Sequence, residues 1–204
     1  RVLFRSQNWK LRGADEPARG VRAHQKEIWV YRFDWDEERS LFGYDLPGLL
    51  GAGHAMEIPF VFGWLSLGPA TRLVFDPDNA DTDRALSDAM MSYWTQFAYS
   101  GDPGRGRSGE AVAWPAWSNA EGGPKMLVLD TTNDGGIRPS PESVTFEGIV
   151  ANSRLDPRLA KRRDWCEMML FLTGGGPEFD AAEYARSTGE DCSEYPVEGF
   201  PWES

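Results

Sequence analysis

The run Glu27-Ile-Trp-Val-Tyr-Arg-Phe33 constrains this chain most. It is dense in β-branched and aromatic residues, is short enough for a strand, and sets apolar side chains on both alternating faces. A strand of that kind is usually central in a sheet covered on two sides. Such a sheet needs several partners, yet the chain offers one other convincing strand, Lys125-Met-Leu-Val-Leu-Asp130. The rest of the sheet is therefore expected elsewhere, with this chain the C-terminal part of a larger domain. An Arg at position 1 and a hydrophilic opening, RVLFRSQNWK, fit the same expectation.

Helical signals occupy the remaining ordered stretches. Residues 14–25, ADEPARGVRAHQ, read as a short, mostly exposed helix with Pro17 in its first turn and His24 at its end. Ala85, Leu86, Ala89, Met90, Tyr93, Trp94, Phe97 and Ala98 recur at three- and four-residue intervals, an amphipathic helix. Asp81, Thr82 and Asp83 supply its cap and acidic first turn, and Gly101 with Pro103 ends it. The Tyr93, Trp94, Phe97 stripe reads as core packing and implies no cofactor. Residues 101–124 form a Gly/Pro/Ser-rich loop anchored by Trp114 and Trp117. A last helix is predicted from Asp156-Pro157 through DWCEMMLFL, stopped by Gly174-Gly175-Gly176. The sequence thus divides into residues 1–173 and an acidic, weakly patterned tail, 174–204, much of which is expected to lack regular structure.

Composition removes several function classes. With 32 acidic against 21 basic residues the net charge is −11, unsuited to binding nucleic acid by counterion release. The basic cluster Lys161-Arg162-Arg163 reads as a solvated helix face. No run of about 18 apolar residues is present, so no membrane-spanning helix is expected. Cys166 and Cys192 leave two readings open, a disulfide or a buried free thiol at Cys166.

Chemistry concentrates in Gly51-Ala-Gly-His54-Ala-Met-Glu57-Ile-Pro-Phe-Val-Phe-Gly63. Histidine suits general-base work because its pKa of about 6.5 lets it take and return a proton near neutral pH. Gly51 and Gly53 allow tightly turned backbone that could push an imidazole into a pocket. The plainer alternative is a loop histidine that packs or caps. A metal reading would use His54 and Glu57, but zinc needs a third protein ligand. His24 lies on a separate element, no H-E-x-x-H occurs, and the cysteines lack zinc-pair spacing, so no metal is expected. Asp34 and Asp36 read as solvated loop acids. Ser66 in GWLSLG is misplaced by one residue for a G-x-S-x-G elbow, and no such elbow occurs.

Several stretches together resemble the C-terminal part of the type-B carboxylesterase/cholinesterase family of α/β-hydrolases. IWVYRFDW is similar to that family's Y-x-Y-x-F strand, and GAGHAMEIPFVFG to its Gly-x-x-His-x-x-Glu-[Ile/Leu]-x-[Phe/Tyr]-Val-Phe-Gly signature. In the same order, MMSYWTQFAYSGDPG resembles the W-x-x-F-A-x-x-G-[DN]-P segment, AWPAW the Trp-Pro-x-[Tyr/Trp/Phe] motif, and KMLVLD the late edge strand. RRDWCEMM approximates the C-terminal Cys-x-x-Trp helix, with Trp165 preceding Cys166 instead of following it.

The resemblance implies an incomplete α/β fold, a central, mostly parallel sheet flanked by helices, and a carboxylic ester hydrolase acting on a small-molecule ester without a cofactor. It puts His54 at the position of the catalytic histidine and makes Glu57 similar to a supporting acid behind it. The serine and the triad acid precede the histidine in this family's chain order. They are expected in a missing N-terminal part of the same domain, a partner without which the fragment is inactive. Phe60, Phe62 and Trp64 read as core residues, with walls of an acyl or alcohol pocket as the alternative. A non-catalytic, cholinesterase-like interaction domain is the rival function, and an upstream Gly-Glu-Ser-x-Gly would decide against it.

Overall fold

Met126, Leu127, Val128 and Leu129 are all fully buried, as a strand covered on both faces must be. In the computed structural model, residues 2–39, 46–49, 51–66, 68, 71–173 and 181–195 are described. Helices α1 (Val2–Lys10) and α2 (Glu16–Val21) precede strand β1 (Tyr31–Phe33), followed by short helices α3 (Leu46–Leu49), α4 (Ile58–Val61) and α5 (Thr71–Val74). The long helix α6 (Ala80–Ser100) leads to strands β2 (Met126–Leu129) and β3 (Arg138–Ser140), then helices α7 (Phe146–Leu155), α8 (Arg162–Leu172) and α9 (Ala181–Thr188). The chain divides into two compact units, Ala18–Glu142 and Arg1–Pro17 with Ser143–Ser204.

The unit Ala18–Glu142 holds a mixed sheet of order β1-β2-β3 among the described residues. β1 runs parallel to β2, with Tyr31 opposite Leu127 and Phe33 opposite Leu129, and β3 runs antiparallel to β2. The α/β class expected from the sequence is present, but the strand order corrects its details. β2, expected at an edge, is the middle strand, and β1, expected in the centre, stands at one side of the described sheet. β3 carried no strand signal because it is Arg-Pro-Ser, and Pro is tolerated in a strand only at an edge. It is placed by the preceding turn, where the Gly136 N–H donates to the Thr131 carbonyl at 2.8 Å.

α6 lays Leu86, Met90 and Tyr93 into a core with Trp35, Phe60, Phe75 and Leu127. Its C-terminus follows expectation: Gly101, at φ 76°, donates its N–H to the Phe97 carbonyl at 2.8 Å. Its N-terminus does so in part: Asp81 and Asp83 form the expected acidic first turn, with Asp83 buried, but the cap residue is Asn79, without a side-chain bond. The two loop tryptophans are the anchors predicted, both buried, with Trp114 Nε1 donating to the Val30 carbonyl at 3.1 Å.

The other unit is helical. Phe4, Leu11, Ile149, Trp165 and Met169 lie in its core, and buried Asp15 accepts from Lys10 Nζ at 2.5 Å and from the Val144 N–H at 2.6 Å. The predicted last helix is two elements. Asp156 caps a 3-10 turn, Pro157–Leu159, by accepting from the Arg158 N–H at 2.9 Å, and extended Lys161 separates that turn from α8. The glycine stop at 174–176 lies outside the described residues. Cys166 and Cys192, 26 residues apart, form a disulfide with their Cα atoms 5.7 Å apart. Helix α9 stands where little order was expected. Its signal was the four-residue spacing of Tyr184, Thr188 and Cys192, all buried. Among the described residues no helix is long and apolar enough to cross a membrane.

Candidate active-site loop

The loop ahead of α4 is built by a succession of tight turns. The Gly53 N–H donates to the Gly51 carbonyl at 2.6 Å and the Met56 N–H to the Gly53 carbonyl at 3.1 Å. Gly51 takes the left-handed conformation, at φ 49°, but the second left-handed position is Ala55, at φ 70°, and not Gly53. Ala55 is strained there, because its Cβ crowds the backbone. His54 is exposed on this turn and Glu57, at its end, is half-buried.

Glu57 is the N-cap residue of α4 by position, with no side-chain cap bond. Its carboxylate lies close enough to Tyr31 for its charge to add to burial, the larger cause, in raising the phenol's pKa. His24 is on a different element, its N–H bonded to the Val21 carbonyl at 2.8 Å. Ser66 is exposed, in irregular chain with α4 and not a strand before it.

The three aromatic residues after the loop part company. Phe60 is a core residue at 0% exposure, whereas Phe62 and Trp64 are 75% and 64% exposed. Phe60 packs at ring-centroid distances of 5.2 Å from Phe33 and 5.3 Å from Trp35. Its carbonyl accepts from the Ser87 hydroxyl of α6 at 2.8 Å. Behind it Gly63, at φ 64°, lies against α6 so tightly that a Cβ would come within 2.7 Å of Met91 Sδ.

A second set of polar groups follows β1. Trp35 Nε1 donates to Asp83 Oδ1 at 2.7 Å, and Glu37 accepts from the Thr131 hydroxyl and, at 3.2 Å, from the Asp36 N–H. Burial pushes Glu37 and Glu38 up to about 7 and Asp83 up to about 6. Asp36, Glu37 and Asp134 bring oxygens within 4.8 Å of one another. Neither His54, Glu57 nor His24 belongs to such a group among the described residues. Asp34 is engaged by its neighbour, Arg32 Nε donating to its Oδ1 at 2.7 Å.

Sequence reasoning missed the burial of Ser87, Asp83 and Glu37. The first two had a signal, since polar positions 83 and 87 fall in the same helical stripe as Met90 and Tyr93. Glu37 had none, because the hydroxyl that donates to it, Thr131, is distant in sequence.

Residues 11–144 match the carboxylesterase family. The para-nitrobenzyl esterase of Bacillus subtilis (strain 168) is 35% identical over 123 residues, covering 60% of this chain and 22% of that protein. The mouse bile salt-activated lipase is 38% identical over 93 residues, covering 46% and 14%. A solved PNB esterase structure aligns with 60% of this chain and 21% of its own at 32% identity, with a TM-score of 0.38. The chain thus spans about a fifth of the length of such relatives.

Proposed function

The chain belongs to the carboxylesterase family, and on that premise we propose that it supplies the general base of a serine ester hydrolase through His54. The observation that carries this reading is an exposed histidine on a strained, glycine-entered turn inside the family-matched segment. In the proposed reaction the imidazole takes the proton of a serine hydroxyl as that oxygen attacks the ester carbonyl, then gives it to the departing alcohol. Water, deprotonated by the same imidazole, releases the acid and restores the serine. The serine, the triad acid and the oxyanion donors are assigned to polypeptide upstream of this segment, and Glu57 to support of the loop. Exposed Ile58, Phe62 and Trp64 are the surface we assign to that upstream part.

Residues 1–204 alone are expected to show no turnover of a p-nitrophenyl ester, the wild type and His54→Ala being indistinguishable. Turnover that His54→Ala abolishes would contradict the division of the triad. The natural polypeptide preceding this segment is expected to contain Gly-Glu-Ser-x-Gly. A Gly or Ala in place of that Ser would replace the hydrolase reading with a non-catalytic interaction domain.

A further inference from the structure

We propose that Glu38 and Phe75 form a proton-dependent clasp: while the Glu38 carboxyl is neutral the two stretches of chain pair, and its ionisation parts them. Between the two sides of this clasp run α3, the turn that carries His54, and α4. The clasp is a property of the backbone at the base of that segment and is independent of any general-base role of His54.

Glu38 and Phe75, the latter directly after α5, face each other in an isolated antiparallel bridge. The Arg39 N–H donates to the Val74 carbonyl at 3.1 Å, so the bond lies beside the facing pair and not within it. In an antiparallel pair of that kind the opposed side chains approach most closely. Phe75 is buried in the ring cluster, its centroid 5.4 Å from that of Trp35 and 5.9 Å from that of Phe60. The pairing thus sets Glu38 beside an apolar core. Glu38 is only 4% exposed, and neither carboxyl oxygen has a hydrogen-bond partner among the described residues.

A charged carboxylate is strongly disfavoured in that position. The charged groups around it give no relief. Asp36, on the same stretch, repels it, and the adjoining Arg39 is exposed. Glu37 accepts from the Thr131 hydroxyl, Asp83 of α6 from the Trp35 indole, and Asp76, next to Phe75, from the Asp78 N–H at 3.1 Å. Burial pushes Glu38 up to about 7, with its own N–H offsetting part of the rise and the charge of Asp36 adding to it. A carboxyl raised by folding contributes stability at low pH and loses it as pH rises through the folded value, so the clasp is closed in acid and open in alkali. An isolated bridge has no ladder on either side to hold the chain, and turning the ionised Glu38 out to water costs little more than the Arg39 bond.

The test uses the 204-residue chain and needs no turnover, so its failure is separate from failure of the general-base reading. Protection of the Arg39 amide against hydrogen exchange, corrected for intrinsic exchange, is measured at pH 5 and pH 8. It is expected to fall about tenfold in the wild type and to stay level in Glu38→Gln, whose side chain is neutral at both. Glu37→Gln, which removes the neighbouring raised acid, should leave the fall in place. In the wild type the carboxyl carbon resonance of Glu38 should titrate with a midpoint near 7, and the Phe75 amide resonance should shift over the same range. The proposal is overturned if Arg39 protection is level in the wild type, falls equally in Glu38→Gln, or ceases to fall in Glu37→Gln. If Glu38→Gln does not fold, the wild-type titration decides: a Glu38 midpoint in the ordinary glutamate range, or a Phe75 amide that does not follow it, overturns the proposal.

Discussion

In the unit Ala18–Glu142 the core is a stack of rings, Trp35 lying 5.3 Å from Phe60 and 5.4 Å from Phe75. In the unit of Arg1–Pro17 and Ser143–Ser204 the corresponding role falls to helix packing closed by the Cys166–Cys192 bond. The family match, residues 11–144, covers all of the first and little of the second. In the first unit Phe60, two residues from α4's start, belongs to the ring stack itself. The second spends its cross-link on tying down α9.

Removing the largest ring should expose the difference most strongly. Trp35→Ala takes out a fully buried side chain and leaves Asp83 without its indole donor. A loss of about 3–5 kcal/mol is expected in urea unfolding. A loss under about 1 kcal/mol would mean that the ring stack is not what holds this unit.

The cross-link comes next. Replacing Cys166 and Cys192 together by Ala should cost about 3 kcal/mol, from the freedom regained by the intervening chain. Hydrogen exchange should quicken in α8 and α9, with α6 unaffected. Uniform acceleration in both units would dissolve the distinction between them.

The two units should also answer pH differently. Glu37, Glu38 and Asp83 are raised in the folded state, to about 7, about 7 and about 6. Carboxyl groups raised by folding contribute stability that is full below their unfolded pKa, about 4, and is lost as pH rises through the folded value. The Ala18–Glu142 unit should therefore melt higher at pH 5 than at pH 8, and Glu37→Gln with Asp83→Asn should flatten that slope. In the other unit Asp156 is lowered to about 2 by the Arg158 side chain, and Asp191 is lowered by Arg154. Their contributions are present above the unfolded pKa and fade only as pH falls through the lowered values, so they add no slope between pH 5 and pH 8. A slope of the opposite sign in the first unit would refute the burial of these acids.

The smallest effect is expected at Arg154, whose ion pair with Asp191 is 46% exposed on either side. Arg154→Met should cost less than about 1 kcal/mol even though the guanidinium also lies 3.9 Å from the Trp165 ring centroid.

Legibility followed the same division. α6 was readable because its apolar spacing, C-terminal glycine and Trp/Tyr stripe all agree, and β2 because four apolar residues stand between turns. β3 was not, since a strand containing Pro139 is defined by its partner and not by its own propensity. In the other unit α7 passed unnoticed, although Thr145 caps it by accepting from the Gly148 N–H at 3.1 Å and Phe146, Ile149 and Val150 stand at three- and four-residue spacing. His54 and Glu57, the residues of the proposed site, stand in a contiguous motif that the sequence shows directly. The burial of Ser87 had a signal in its helical stripe, but its partner did not, because that partner is a backbone carbonyl 27 residues away and no side-chain pattern reports a carbonyl.

The general-base role of His54 is tested most directly in a chimera that joins the upstream part of the Bacillus subtilis para-nitrobenzyl esterase, 35% identical over the shared stretch, to this segment. Hydrolysis of a p-nitrophenyl ester is expected, and His54→Gln in that chimera should lower kcat by about a thousandfold or more with KM little changed. An active chimera whose kcat is indifferent to His54→Gln would contradict the account.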